Sequence, residues 1–208
     1  HRARGAERAV AAASPAPEPY DALLEANEPG LRGARLEPLF ARMVGWLAPF
    51  AAERAAAARP SALAGMRLSR DAQWAFTLEL LQGIGFDLEA GRQDLSAHPF
   101  SEGVDPGDVR LTNRLDEAAP LSAVFSALHE GGHGLYEQGL PQEHRRDFLC
   151  QAASMGLHES QSRLWENLVG RSLPWWRHHY PFVRALFPEA LHDVELDAFH
   201  RAINRVEP

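Results

Sequence analysis

The chain has 208 residues, 45% hydrophobic and 24% charged, enough apolar material for one sizeable core and too much for a disordered polypeptide. A formal net charge of -7 argues against a nucleic-acid footprint or an anchor on an anionic membrane, both of which need clustered Lys and Arg. Peptides or small molecules remain as partners, and the single cysteine, Cys150, excludes an intrachain disulfide and fits a reducing compartment.

No run approaches the roughly 18 apolar residues of a membrane helix, and the N-terminus lacks the basic-then-apolar pattern of a secretory leader. The expectation is a soluble, cytoplasmic protein. His1 in place of methionine, and a final Arg205-Val206-Glu207-Pro208 that reads as chain interior, suggest part of a longer polypeptide.

In chain order, Ala6 to Ala13 reads as a short Ala-rich helix, ended by Ser14-Pro15-Ala16-Pro17-Glu18-Pro19, where proline removes donors and restricts the backbone. Residues 1–19 are thus expected to be a helix and linker, and 20–208 part of a single helical domain. Tyr20 to Ala26 is followed by a turn at Pro29-Gly30. A long helix is then expected from about Leu36 to Arg59, with Leu36, Leu39, Phe40, Met43, Trp46 and Leu47 on one face and Pro60 as its stop. Another is expected from about Asp71 to Ile84, where Trp74, Leu78 and Leu81 recur before Gly83 and Gly85. From Gly91 to Leu115 the chain is punctuated by Gly, Pro and Asp, and Val109 to Leu115 alternates apolar and polar residues as a strand does. Beyond Pro120 the pattern predicts helices at Leu121 to Gln138, about Phe148 to Gly170, about Trp175 to Phe187 and about Leu196 to Val206. The fold class is therefore mainly α with a small β-sheet, without the strand–helix alternation of a parallel α/β fold.

His129-Glu130-Gly131-Gly132-His133 is an HExxH sequence. On a helix the two histidines lie four residues apart and share a face, so both imidazoles can reach one ion while the glutamate projects beside it. A catalytic zinc site takes three such protein ligands and leaves a fourth position for water. Shuffled versions of this composition would contain HExxH in about four of a hundred cases, so context must add weight. It does: Leu121, Val124, Phe125 and Leu128 form an apolar stripe, Pro120 suits the first helical position, and Gly139 with Pro141 marks the end. Gly131, Gly132 and Gly134 would each cost about 1 kcal/mol relative to Ala in an ordinary helix, which suggests that something approaches this backbone closely.

A third ligand is expected from a second helix, and Gly156 to Ser162 offers both Glu159 and His158. Glu159 is preferred because it opens a polar face continued by Ser162 and Glu166, while Leu157, Leu164, Trp165 and Leu168 can face a core. His158, about 100° around the helix, is an alternative ligand or an outer hydrogen-bonding partner; Glu137 and Glu166 are further outer partners. Arg110, with Asp108, Thr112 and Arg114 on one strand face, is a candidate to meet substrate, the alternative being an ordinary wet face. His98 is a similar candidate within His98-Pro99-Phe100, the alternative being a Pro-fixed turn with a buried phenylalanine.

These segments together resemble the carboxypeptidase Taq family of thermostable zinc metallocarboxypeptidases. The resemblance rests on Tyr20-Asp21-Ala22-Leu23-Leu24 with Glu28-Pro29-Gly30, His98-Pro99-Phe100, Asp108-Val109-Arg110-Leu111-Thr112, the HExxH helix, His158-Glu159-Ser160-Gln161-Ser162, and Arg201 to Pro208. It implies that His129, His133 and Glu159 bind Zn2+, with Co2+ as another possible metal, and that Glu130 is the catalytic acid/base. It also implies a helical fold with a deep groove and a small sheet beside the metal, removal of single residues from peptide C-termini with broad specificity, and frequently a homodimer. Family members extend before and after this region, and a segment after the last motif, with a later Gly-x-x-Gln-Asp-x-x-Trp motif, completes their cleft. The alternatives are a catalytically incomplete zinc-binding or interaction domain derived from such a peptidase, and a zinc peptidase that cuts internally or from the amino end.

Overall fold

The computed structural model describes residues 18–56, 61–147 and 149–205. The expected helix at 6–13, most of the Pro-rich stretch, Pro60 and the last three residues lie outside this range. The described residues divide by their contacts into two compact units, one of the N-terminal helices with 154–156, the other of the remaining residues from 61 to 205.

In the first unit, α1 (Pro19–Asn27) begins with a proline at a position where a helix has no use for the missing N–H. The buried Asp21 accepts a 2.7 Å hydrogen bond from the Gly33 N–H, which fixes the start of α2 (Gly33–Ala56). Glu28 likewise accepts from the Gly156 N–H at 2.8 Å. α2 matches the expected helix as far as Ala56, residues 57–59 lying outside the described range, and starts three residues earlier, with Pro38 and Pro49 inside it. The apolar stripe read from its sequence is largely in solvent, with Leu39, Phe40, Trp46 and Leu47 exposed.

The second unit holds the larger core. α3 (Arg70–Gly83) is capped by Ser69, whose hydroxyl accepts from the Ala72 N–H, and buries Phe76, Leu80 and Leu81. At its end Gly85 adopts φ +93, a conformation that favours glycine, and the chain enters a three-stranded sheet. β1 (Gly91–Leu95) and β2 (Ser101–Asp105) flank a central β3 (Asp108–Asn113), in the order β1-β3-β2; β1 is parallel to β3 and β2 antiparallel. The expected strand is therefore the middle of the sheet. Phe100, buried in the alternative reading of His98-Pro99-Phe100, is about half exposed; its backbone is what is held, with its N–H donating to the Thr112 hydroxyl and its carbonyl accepting from the Thr112 N–H.

α4 (Pro120–Gln138) crosses this sheet and α3. It is followed by a 3-10 turn (Gln142–His144), then α5 (Met155–Arg163), which continues into a π-helical segment, Leu164–Val169. Of the helix expected from Phe148 onward, Phe148 lies outside the described residues, 149–154 are not helical, and the helix begins at Met155. Asp147 accepts from the Leu149 N–H and the Tyr136 hydroxyl accepts from the Ala153 N–H, so local side chains take donors that a helix would need. α6 (Leu173–Leu186), α7 (Pro188–Leu191) and α8 (Leu196–Ile203) complete the unit. Trp176 and Phe199 are wholly buried edge-to-face, and the Trp176 indole donates to the Gly170 carbonyl at 2.7 Å, tying α6 to the end of the π-helical segment. Among the described residues no helix is long and apolar enough to cross a membrane.

Candidate metal centre

α4 carries His129 and His133 one turn apart, with ring centroids 4.9 Å from each other. Glu159 comes from α5. It reaches them because Gly132 has no side chain: a β-carbon there would lie 2.6 Å from the Gln161 carbonyl oxygen and 2.7 Å from Ser162 Cα. The close approach that the glycines imply is thus made by the second helix itself. Gly131 admits Leu81 and Ile84 in the same way, and Gly134 admits Phe86 and Leu111, so α4 lies close against three neighbours at once.

One Glu159 oxygen, Oε2, lies 3.2 Å from His133 Nε2 and 3.7 Å from His129 Nε2. Donors held at about 2.0–2.1 Å by a tetrahedral ion are about 3.4 Å from one another, and the two measured separations bracket that value. All three donor atoms lie within 4.8 Å of each other, and the pair of imidazoles with one carboxylate is a donor set that suits a divalent metal. These residues therefore fit a metal ion.

Each imidazole is held from behind. His129 Nδ1 shares a 2.9 Å hydrogen bond with Glu166, which raises the His129 pKa and lowers that of Glu166. That contact fixes which nitrogen faces the ligand cluster. His133 stacks on His158, with centroids 4.5 Å apart, and His158 Nε2 is in turn 2.7 Å from Glu137. The cluster of donor atoms consists of His129, His133 and Glu159, and His158 lies beside it, stacked on His133 and bonded to Glu137. Burial pushes the His133 pKa down to about 4, so it is neutral near pH 7, with a lone pair available to a metal. Its Nδ1 is buried with no partner that meets hydrogen-bond geometry.

Glu159 has a pKa below its ordinary value: burial pushes it up, and hydrogen bonds from Arg163 and Ser162 outweigh that. Glu130 is buried, and burial raises its pKa despite the opposing charge of His129 and the nearby Ser101 side chain at the start of β2. The sheet is thus beside the site, as expected. Glu130 opens onto a groove of about 470 Å³ lined also by His98, Phe125, His129, Arg163 and Arg171.

The structure brings His98 to this groove but not Arg110. Arg110 is exposed and bonds through two nitrogens to Asp108 on the same strand face, and it is not among the groove's lining residues. Thr112 is buried, binding Ser96 and Phe100, so the four residues assigned to one wet face do not share an environment. The cations that do line the groove are Arg163 and Arg171, which sequence reasoning did not single out. Arg171 stacks over Phe125 at 3.8 Å and lies 3.9 Å from Glu166. Its position five residues after Glu166 was the available signal, but a π-helical segment between them hides the phase.

The family model described as Carboxypeptidase Taq (M32) metallopeptidase matches residues 3–208. Thermostable carboxypeptidase 1 of Thermus thermophilus is 48% identical over 193 residues, 92% of this chain and 38% of its own length. Carboxypeptidase 1 of Bacillus subtilis is 36% identical, over 91% of this chain and 38% of its own length. The crystal structure of the M32 carboxypeptidase from Deinococcus radiodurans R1 superposes with a TM-score of 0.93 at 36% identity, covering 99% of this chain and 42% of that one. The chain spans about two fifths of the length of these relatives. With a match across nearly all of its residues, the chain belongs to the Carboxypeptidase Taq (M32) metallopeptidase family.

Proposed function

We propose that this region forms the catalytic site of a zinc-dependent metallocarboxypeptidase that removes residues from the C-termini of peptides with broad specificity. Membership of a metallopeptidase family implies a divalent metal and a peptide substrate. The observation that carries the reading is the convergence of His129, His133 and Glu159 beside the buried Glu130. Donor separations near those of a tetrahedral ion favour zinc, with Co2+ as a workable substitute. The lone Cys150 is in keeping with a cytoplasmic protein, and the family resemblance with a homodimer.

Bound here, zinc would polarise the scissile carbonyl and supply a water of lowered pKa, about 7. Glu130 takes the proton of the attacking water and returns it to the departing amine. Its burial suits this, because a carboxylate whose pKa is raised towards the working pH is a better base and a usable acid. Glu166 and His158 hold the two imidazoles in place, and the Ser101 side chain lies beside the Glu130 carboxyl. His98 borders the substrate space. Arg171, half-buried against Phe125 and donating to the Ile203 carbonyl, is the cation in the groove better placed to attract a terminal carboxylate, since it lies 3.9 Å from one glutamate whereas Arg163 is bonded to two. Arg110 keeps only a distant electrostatic part in this scheme.

The test compares peptides with free and blocked C-termini as substrates of the metal-loaded protein, and of its Glu130→Gln variant. Release of single C-terminal residues from free peptides alone, lost in the variant while metal is retained, supports the reading. Cleavage of blocked peptides would make the protein an endopeptidase, and metal binding with no hydrolysis of either would leave a metal-binding domain.

A further inference from the structure

We propose that Arg163 is a positioning residue of the metal site, closing a ring of hydrogen bonds that ties the Glu159 ligand to the group that orients His129. The inference rests on the metal-site reading above and adds a residue to it.

Arg163 is the last residue of α5, one turn beyond Glu159, and its guanidinium spans two carboxylates. Nε donates to Glu159 Oε1 at 2.9 Å, and Nη1 donates to Glu166 Oε2 at 3.1 Å. Glu166 Oε2 is the atom that meets His129 Nδ1 at 2.9 Å. His129 Nε2 in turn faces Glu159 Oε2 across 3.7 Å. The circuit thus runs from His129 through Glu166, Arg163 and Glu159 back to the place where the donors converge. The two Glu159 oxygens are given different tasks: Arg163 occupies Oε1, while Oε2 faces both imidazoles with the buried Ser162 hydroxyl at 3.1 Å.

Glu159 needs such a constraint more than its partners do. Its side chain is 45% exposed, against 20% for His129 and 13% for His133, so packing alone does not select its rotamer. A planar fork with donors at fixed angles can bridge two carboxylates, whereas a lysine ammonium would reach both only with looser geometry. The positive charge near the ion site works against metal binding. It is offset by the two carboxylates it bridges and by its exposure to solvent, so orientation should decide the sign.

Removing outer partners of metal ligands commonly weakens binding 10- to 100-fold, and for a partner as exposed as Arg163 the lower end, about tenfold, is expected. The measurement is the zinc dissociation constant by competition with a chromophoric chelator, with circular dichroism of the metal-free chain as the check on folding. Parent, Arg163→Ala, Arg163→Lys, Glu166→Gln and the Arg163→Ala/Glu166→Gln double variant are compared, with His133→Ala as a control on the site. Support consists of about tenfold weaker binding in Arg163→Ala, partial recovery in Arg163→Lys, and a double variant that loses less than the product of the single losses, because both changes open the same ring. Unchanged or tighter zinc binding in Arg163→Ala, with only KM for peptides raised, would make Arg163 a substrate contact and overturn the proposal. So would multiplicative losses in the double variant. If the parent binds no zinc, or binds it as well after His133→Ala, the metal-site reading itself fails and takes this inference with it.

Discussion

Replacing Gly132 by Ala tests whether the site is built by helix contact. A β-carbon at this position would sit 2.6 Å and 2.7 Å from main-chain atoms of Gln161 and Ser162, and the backbone of α5 has no flexible end to swing aside. Ordinary contact would require the two helices to part by about 0.8 Å, an overpacking that typically costs about 1–3 kcal/mol. Against this stands a gain of about 1 kcal/mol for Ala over Gly in a helix interior, so the net loss of stability should be small, about 0–2 kcal/mol. The metal should report the displacement more strongly. Glu159 lies two residues before Gln161, and moving it by most of an ångström spoils separations that now stand at 3.2 and 3.7 Å. The zinc dissociation constant should rise at least about tenfold, or about 1.4 kcal/mol. Chelator competition measures that change, and urea unfolding of the metal-free chain measures stability. Gly45→Ala is the control: Gly45 is exposed within α2, has nothing within 4 Å of a built β-carbon, and should gain about 0.5–1 kcal/mol. A Gly132→Ala chain that binds zinc as tightly as the parent would refute the reasoning.

Further expectations concern single groups. Glu130→Gln should keep its metal while peptide hydrolysis falls at least about 100-fold, measured by elemental analysis and release of C-terminal amino acids; near-normal turnover would remove Glu130 as the base. The pH dependence follows from His133, whose pKa is about 4 in the folded chain against 6.5 when unperturbed. Between these values the unfolded chain binds a proton that the folded chain does not, so metal-free stability should fall as pH drops from about 6.5 to about 4, by up to about 3 kcal/mol. His129 acts in the opposite sense, since Glu166 raises its pKa: that stabilisation is complete below about 6.5 and fades as pH rises through the folded value. Urea melts of the parent and His133→Asn at several pH values separate the two, and equal acid-side slopes would contradict the assignment. Asn113→Ala should cost about 1–3 kcal/mol in the same melts, because the buried Asn113 amide donates to the Ala123 carbonyl and its loss leaves the start of α4 unpaired with β3. A change below about 0.5 kcal/mol would mean that this link is not needed.

The parts legible in the sequence were those set by local periodicity. Helical spacing placed His129 and His133 on one face of a helix bounded by Pro120 and Gly139, and the polar face of the following helix pointed to Glu159. The glycines signalled a close approach without saying to what, because the partner backbone at Gln161 and Ser162 lies about 30 residues away in the chain. β1 and β2 escaped notice because Gly91–Leu95 and Ser101–Asp105 carry a single β-branched residue between them and are held by pairing with β3. Alternation identified which residues of β3 share a side, yet could not say which side borders the groove, and so Arg110 was singled out while Arg171 was not. The apolar stripe of α2 shows the same limit: periodicity reveals a face, while its burial depends on a partner that the sequence does not specify.

The most direct test of the account is X-ray absorption spectroscopy of the zinc-loaded chain. The account predicts one tightly held ion per chain with only nitrogen and oxygen neighbours at about 2.0–2.1 Å, including the outer-ring scattering of two imidazoles, reduced to one in His133→Ala. An ion surrounded by water oxygens alone, or one bound through the sulfur of Cys150, would contradict it.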